Sequence, residues 1–353
     1  MNIDWTKSMN QTFEYYEVDP ISWKDKNLLK NIKSCSINME SDAETLGSAS
    51  IETTEILDEM YVRVYLIASQ GNIKEKVPLG VFLIQSPSVS FDGKISNVSI
   101  DAYTPLLELK ENQPPLGYAL LKGDNIMEEA YKIVRDNCRI PVVKTESTKT
   151  LDKNFIANTS DKWIRFIIDL IAQAQYHLYL DEMGRILFAP DQKISELQPV
   201  WTFNDNNSSI LYPEISLSHD IYGIPNVVEV VANVNNQIYI SRVVNDDPNS
   251  PTSTIRRGRE ITYRDTQPSL PGYPTQEMVD EYAENLLKSL SSVQYTVSYT
   301  HGYCPVRVGD CVRLNYKNAG FDDVKAKVVS QSIKCDSGCS VNEQAVFTQN
   351  LWK

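Results

Sequence analysis

The sequence has few of the residues and motifs from which most active sites are built. It contains three histidines in 353 residues, and none forms the H-E-x-x-H pair of a metalloprotease helix. It also lacks the G-x-S-x-G turn of a nucleophilic serine and a glycine-rich phosphate loop. We therefore predict a chain that is not an enzyme, with no catalytic, cofactor-binding or metal-binding residues and no cofactor.

Long apolar runs and basic patches are also missing. No apolar run is long enough to span a bilayer, and the first residues lack the apolar centre of a signal peptide. The net charge is −12, which argues against nucleic-acid binding because an acidic surface repels phosphate. We expect no membrane segment, and a protein that stays in the cytosol of its cell or leaves it within an assembly or by lysis.

Six cysteines are present, four of them in the last fifty residues: Cys35, Cys138, Cys304, Cys311, Cys335 and Cys339. In a cytosolic protein such residues are usually reduced and buried. The Cys335-x3-Cys339 spacing differs from the two-residue zinc knuckle. The spacing leaves open whether Cys304, Cys311, Cys335 and Cys339 bind a metal, with His301 as a further ligand, or form disulfides, and we predict that no metal is required.

The remaining candidate functional residues each have an ordinary structural explanation as well. His177 lies between tyrosines in a predicted strand, where a structural histidine is the simpler interpretation, and His219 belongs to no motif. His301 and Cys304 are a conceivable base and nucleophile.

The many carboxylates and the 19 tyrosines leave a cell-wall hydrolase and a glycan-binding module as alternatives. Three basic residues, Arg256, Arg257 and Arg259, indicate either a solvated loop or a docking loop for an acidic neighbour.

The first third of the chain has the pattern of short strands. Residues 60–68 alternate, with Met60, Val62, Val64 and Leu66 on one face and Tyr61, Arg63 and Tyr65 on the other. Residues 77–87 and 95–103 are strands around Asp92-Gly93, a strong hairpin signal. Several short strands separated by turn residues predict that residues 1–112 form a small barrel or sandwich.

Residues 113–195 change to an α+β pattern. Asp124 is the predicted cap of a helix over 125–137. A second helix begins near Ser160, and its apolar residues have the spacing of one buried stripe: Trp163, Phe166, Ile167, Leu170, Ile171 and Ala174. The segments YHLYL and RILFAP around DEMG predict a β-hairpin after it.

After a connecting segment, 196–223, the last part of the chain returns to strands. Residues 224–353 are predicted to be a second β-barrel domain, with Asn235-Asn236 as a tight turn and 245–259 as a mobile polar loop. Thr275 caps a predicted helix near 275–290, whose stripe is Val279, Tyr282, Ala283, Leu286, Leu287 and Leu290. The fold class is therefore mainly β with an α+β insertion.

Three stretches together resemble the hub family of contractile phage tails, the late-control-D type. The first matches at Gly80, Phe82, Ile84, Val98, Ile100, Ala102 and Leu106, although Tyr103 stands where an acidic residue is common. The second is the helix with its hairpin, with Asp181 and Gly184 in the turn and Pro190 at the end. The third is Val308-Gly309-Asp310-x-Val312-x-Leu314, in which Gly309 allows a positive φ and Asp310 can bond the backbone beyond it.

The resemblance implies two small tube-like β-barrels flanking a helix-plus-hairpin domain, in a structural baseplate or tail hub. Three copies would form a homotrimeric, pseudo-six-fold ring that joins the tail tube to a spike or tail tip. The implied partners are tail tube, spike or tail-tip, tape-measure and baseplate proteins, and DNA would pass the acidic lumen without specific binding. We expect residues 35–110 and 225–353 to form the inner wall, with 113–195 outside. The implied location is a virion tail or tailocin, assembled in the cytoplasm of a bacterial host.

Overall fold

The computed structural model describes residues 3–91, 93, 96–234, 237–270 and 274–352. Its contacts divide the chain into two compact units. The first comprises Met1–Ile215 with Tyr299–Ala345, and the second comprises Ser216–Ser298 with Val346–Lys353. The division into 1–112, 113–195, 196–223 and 224–353 stays a prediction.

Strands dominate the structure, which confirms the mainly β fold class. They are β1 (Asn10–Val18), β2 (Asp25–Leu28), β3 (Ile32–Glu40), β4 (Gly47–Thr53), β5 (Tyr61–Gln70), β6 (Ile73–Phe91), β7 (Ser96–Tyr103), β8 (Ala119–Leu120), β9 (Phe155–Ile156), β10 (Tyr176–Leu180), β11 (Ile186–Pro190), β12 (Pro199–Asn204), β13 (Leu211–His219), β14 (Val227–Val234), β15 (Gln237–Val244), β16 (Thr262–Asp265), β17 (Ser292–Gly302), β18 (Cys311–Tyr316), β19 (Phe321–Lys334) and β20 (Ser340–Asn350). The helices are α1 (Leu107–Glu111), α2 (Ile126–Asn137), α3 (Trp163–Ala172), α4 (Thr254–Arg257) and α5 (Gln276–Leu290), with a 3-10 turn at Lys317–Ala319. None of the described helices is long and apolar enough to cross a membrane.

Most strands belong to one large sheet. Its order is β13-β17-β20-β19-β3-β4-β7-β6-β5-β1-β2, and β18 pairs with both β19 and β12. Along this path the strands from the first hundred residues meet those from the end of the chain at one place, where β19 pairs antiparallel with β3. We call this β3–β19 pairing the seam. Closure of the sheet into barrels stays a prediction.

The alternation predicted along β5 is confirmed, and both of its faces are covered. Val62, Val64 and Leu66 are buried in an apolar core formed by side chains from several strands of the large sheet. Tyr61, from the opposite face, belongs to a second core that also contains the helices α2 and α3. The sheet therefore separates two cores, and this explains how Arg63 comes to be only 1% exposed.

The β6–β7 hairpin predicted around Asp92-Gly93 is confirmed by antiparallel pairing that shifts register between Ile84 and Ser86 and runs up to Phe91↔Ser96. Asp92 and the two residues after Gly93 lie outside the described residues, so the turn type stays a prediction. The predicted turn at Asn235-Asn236, between the paired strands β14 and β15, likewise lies outside them.

The helix-plus-hairpin segment has the predicted elements with one correction. Asn125 rather than Asp124 caps α2, because the Asn125 side chain accepts bonds from the backbone N–H groups of Met127 and Glu128. The Asp124 carboxylate instead accepts one from the Leu121 N–H at 2.7 Å. The stripe of α3 is buried as predicted, and β10 pairs with β11.

In the second unit, α5 covers one face of a three-stranded sheet with the order β15-β14-β16. The Thr275 hydroxyl caps the helix as predicted, accepting a bond from the Met278 N–H at 3.3 Å. Residues 245–259, expected as a mobile polar loop, contain α4 and buried polar side chains. The Asn245 amide donates to Ser250 Oγ at 2.9 Å, so this segment is internally bonded.

Candidate functional site

The three stretches that carry the resemblance come together around one cavity of about 330 Å³. Its lining includes Gly80 and Phe82 from the first stretch, Asp181 and Gly184 from the second, and Val308, Gly309 and Asp310 from the third. Segments that are distant in sequence therefore meet at one place in the first unit. Each stretch could be recognised separately from its residues, but no signal in the sequence indicated that the three touch.

The turn of the β10–β11 hairpin is folded by its own side chains. The Asp181 carboxylate accepts bonds from the backbone N–H groups of Met183 at 3.0 Å and Arg185 at 2.8 Å. Gly184 has a φ of +74°, and a Cβ at this position would lie 2.7 Å from Val81 Cβ on β6. Glycine is thus required both for the turn and for its close approach to the sheet.

The turn at Val308, Gly309 and Asp310 contacts the same hairpin. Gly309 has a φ of +96°, as the sequence predicted, and a Cβ here would lie 2.7 Å from the ring of Tyr179 on β10. Asp310 was expected to bond the backbone beyond the turn, but its carboxylate accepts from the preceding Arg307 N–H at 2.8 Å. Burial raises the pKa of Asp310, although the Arg307 N–H opposes this shift.

Arg307 connects the hairpin turn to the large sheet. Its guanidinium donates to the Glu182 carboxylate at 2.9 Å, the Tyr303 hydroxyl at 2.8 Å and the Pro78 carbonyl at 3.4 Å. Burial alone would lower the pKa of Arg307, but Tyr303 and Glu182 outweigh it and raise the pKa. The sequence around Arg307 is not diagnostic, yet in the structure this side chain links three separate segments.

A second attachment comes from the N-terminal part of the chain. The Trp23 indole N–H donates to the Met183 carbonyl at 2.7 Å. The buried guanidinium of Arg63 donates to the same carbonyl at 3.3 Å and to the Trp23 carbonyl at 3.1 Å. We call the turn 181–185 together with Arg307, Trp23 and Arg63 the hairpin clamp. The hairpin clamp fixes the helix-plus-hairpin segment to the strands of the large sheet within the first unit.

The histidine and cysteine considered as a nucleophilic pair are adjacent but inaccessible. Cys304 Sγ lies 3.8 Å from His301 Nδ1, and His301 Nε2 lies 3.3 Å from Glu343, whose carboxylate accepts bonds from Tyr299 and Gln331. His301 and Glu343 are 0% exposed and Cys304 1%. Burial raises the pKa of Cys304, so Cys304 stays a neutral thiol within a buried group.

The other histidines have local partners. His177 Nδ1 lies 2.5 Å from an Asp191 carboxylate oxygen, and burial lowers the pKa of His177 while Asp191 opposes the shift. His219 stacks on Tyr295 with ring centroids 4.6 Å apart. Both are explained by packing, although His177 also lines the cavity.

All six cysteines are free thiols, and Cys138 alone is not fully buried. In the described part of the chain no three His, Cys, Asp or Glu side chains are grouped to hold a metal ion. Cys35, Cys335 and Cys339 share one apolar core, while Cys304 and Cys311 lie apart from them. The structure thus divides the four late cysteines into different environments.

The arginine cluster is used mainly within the second unit. The Arg257 guanidinium donates to the carbonyls of Ile224 and Ile221, each at 2.8 Å, and burial lowers the pKa of Arg257. Arg256 donates to the Pro248 carbonyl at 3.0 Å. These bonds hold the segment 245–259 in place, so two of the three arginines have structural partners.

Comparison with known proteins gives a consistent result for the fold. A tail protein from Neisseria meningitidis MC58 superimposes with a TM-score of 0.63 and 11% identity, covering 97% of this chain and 98% of that one. The 43 kDa tail protein of prophage MuSo2 from Shewanella oneidensis gives 0.62 and 11%, covering 95% and 98%. The chain has the fold of phage tail proteins.

A component of the E. coli type VI secretion system, itself similar in structure to bacteriophage T4 tail proteins, also shares this fold. It matches with a TM-score of 0.50 and 9% identity over 92% of this chain and 76% of that one. No family model and no curated protein matches the sequence. The tail-protein fold expected from the three stretches is thereby confirmed, and the late-control-D family and the hub role stay predictions.

Proposed function

We propose that this chain is a structural subunit of a phage-type tail, a baseplate or tail hub that forms a homotrimeric ring between the tail tube and a spike or tail tip. The observation that carries the proposal is the full-length likeness to two tail proteins, which covers at least 95% of this chain in both cases. A likeness over nearly the whole length supports a structural role for the chain as a whole.

The use of the polar and charged side chains supports an architectural role as well. Asp181 and Gly184, which the sequence singles out, form the turn of the hairpin clamp, and Arg307, Trp23 and Arg63 bond this turn to the rest of the first unit. The histidine–cysteine–carboxylate group of His301, Cys304 and Glu343 is buried. A subunit that holds its neighbours in fixed positions needs such internal rigidity more than it needs an open pocket.

Open sheet edges and charge support assembly into a ring. In the described path of the large sheet, β2 and β13 are the terminal strands, and the unpaired backbone groups of an edge strand can pair with another chain. Three copies would give the three-fold symmetry of a spike, and two barrels per copy would match a six-fold tube. A net charge of −12 suits a channel through which DNA slides.

The proposal is tested by the composition of the particle. The chain should be tagged at its gene in the source strain, the particles purified, and its copy number measured by quantitative mass spectrometry against the tube protein. We expect co-purification with the particle at three copies. The chain alone should neither clear purified cell walls in a zymogram nor bind host cells, and either activity would favour the hydrolase or glycan-binding alternative.

A further inference from the structure

We propose that Cys35 and Cys335 form a reversible intrachain disulfide that locks the seam between β3 and β19. This inference stands on the geometry of the two strands and does not depend on the proposed tail function. It assigns an oxidation site to a pair of thiols that sequence spacing could not pair, because the two residues are far apart along the chain.

The strand register places the two cysteines opposite each other. β19 and β3 pair antiparallel up to Lys334↔Ser36, so the next pair is Cys335 and Cys35. The Cys335 N–H donates to the Cys35 carbonyl at 2.9 Å, which continues the ladder by one step. Directly opposed residues of this kind have Cα atoms about 5.5 Å apart, inside the range of roughly 4.4–6.8 Å that a disulfide spans.

The side chains also point to the same place. Cys35, Ile37, Ile333 and Cys335 share one apolar core, and both cysteines are 5% exposed. The Cys35 thiol is the first of several causes, burial among them, that raise the pKa of Cys335. Cys335 therefore stays a thiol at neutral pH, and the pair is stable and slow to react while its surroundings are reducing.

The position of the cysteine pair determines which strands the disulfide would hold together. In the described sheet path, the seam is the link between the strands of the N-terminal part and β17, β18, β19 and β20. Cys335 stands directly after β19, where the chain turns toward β20. A covalent bond there would stop the two groups of strands from separating at the end of the seam.

The reaction balances with a small-molecule disulfide such as oxidised glutathione as the oxidant. Exchange begins when the end of the seam opens transiently and one cysteine thiol gives its proton to the buffer. Its thiolate attacks a sulfur of the oxidant, forms a mixed disulfide and releases one glutathione thiolate. The second cysteine thiolate then displaces the other glutathione thiolate and closes the protein disulfide. The protein loses two protons and two electrons, and the two glutathione thiolates take up both.

The test uses the full chain incubated with oxidised glutathione in mildly alkaline buffer, compared with a reduced sample. We expect an intact mass lower by two hydrogen atoms, a Cys35–Cys335 linked peptide in a non-reducing digest, and a thermal midpoint raised by several degrees. Reduction should reverse all three changes.

Matched variants separate this bond from other thiol reactions. Cys35→Ser and Cys335→Ala should each abolish the linked peptide and the thermal shift. Cys339→Ser, which removes the third thiol of the same core, and Cys138→Ser, which removes the most exposed thiol, should leave both unchanged. A Cys335–Cys339 bond instead, a stable mixed disulfide without closure, or no loss of mass at all would overturn the proposal.

Discussion

The helices α3 and α5 carry the same spacing of apolar residues but lie in different surroundings. In both, the stripe recurs at positions i, i+3, i+4, i+7, i+8 and i+11. Every stripe residue of α3 is at most 3% exposed, in a core shared with α2, the β10–β11 hairpin and one face of β5 and β6. In α5 only Val279, Ala283 and Leu287 are fully buried, while Tyr282, Leu286 and Leu290 are half-buried against a three-stranded sheet.

The comparison shows what helical periodicity can and cannot predict. The spacing identifies the face of a helix that packs, because residues three and four apart lie on one side. The spacing carries no information on how many neighbouring helices and strands cover that face. α3 is covered from several sides, whereas α5 has a single small sheet beneath it, and the depth of burial follows from the neighbours.

The largest effect that we expect comes from Leu170→Ala in α3. Leu170 is fully buried, so the change should lower the free energy of unfolding by about 2–5 kcal/mol. The matched control in α5 is Leu286→Ala, which should cost roughly 1 kcal/mol because that side chain is only partly buried. Chemical denaturation of both variants measures the difference. If Leu170→Ala kept full stability but blocked assembly, the α3 stripe would be an interface instead.

The hairpin clamp should matter for α3 and not for α5. Arg307→Met removes the bonds to Glu182, Tyr303 and Pro78 and should cost about 2–4 kcal/mol, since it leaves the buried Tyr303 hydroxyl without its partner and detaches the hairpin turn from the sheet. Arg313→Met breaks an exposed pair with Asp323 and should cost less than about 1 kcal/mol.

Hydrogen exchange localises this effect. Backbone amides of α3 and of the β10–β11 hairpin should exchange faster in Arg307→Met than in the parent, while those of α5 should keep their rates. Equal acceleration in α3 and α5 would contradict the role assigned to the clamp.

A smaller loss should follow from Gly309→Ala. The new methyl group would meet the Tyr179 ring, and φ is strained for alanine, so we expect a cost of about 1–3 kcal/mol. Gly320→Ala is the control, because Gly320 has a φ of +83° and a Cβ added there would have no atom within 4 Å. It should show the backbone cost alone, roughly 1 kcal/mol. Identical losses in thermal denaturation would mean that the Tyr179 contact gives way easily.

The smallest effect concerns pH and His177. Burial lowers the pKa of His177 below its ordinary 6.5, Lys327 lowers it further, and Asp191 opposes both. The unfolded chain therefore takes up a proton near pH 6.5 while the folded chain does so only at lower pH. The contribution of His177 to stability is complete above about pH 6.5 and is lost as the pH falls below it. His177→Gln should flatten this part of the stability profile, and an unchanged slope would refute the assignment.

Local features of the fold could be predicted from the sequence, because local physics determines them. Thr275 caps α5 with a short side chain, and the stripe of α3 is visible in its spacing. Even here neighbouring residues compete, as Asn125 takes the cap expected of Asp124. The clamp could not be predicted, since nothing in the sequence around Trp23 and Arg63 indicates that they meet the hairpin turn. The seam is equally hidden, because register between distant strands depends on the whole sheet.

The proposed role of this chain as a ring-forming tail subunit is tested most directly by electron cryo-microscopy of the intact particle. We predict three copies around the channel at the end of the tail tube, with residues 35–110 and 225–353 forming a mainly acidic or neutral inner wall and residues 113–195 on the outside. A single copy, a place in a peripheral fibre, or residues 113–195 lining the channel would contradict it.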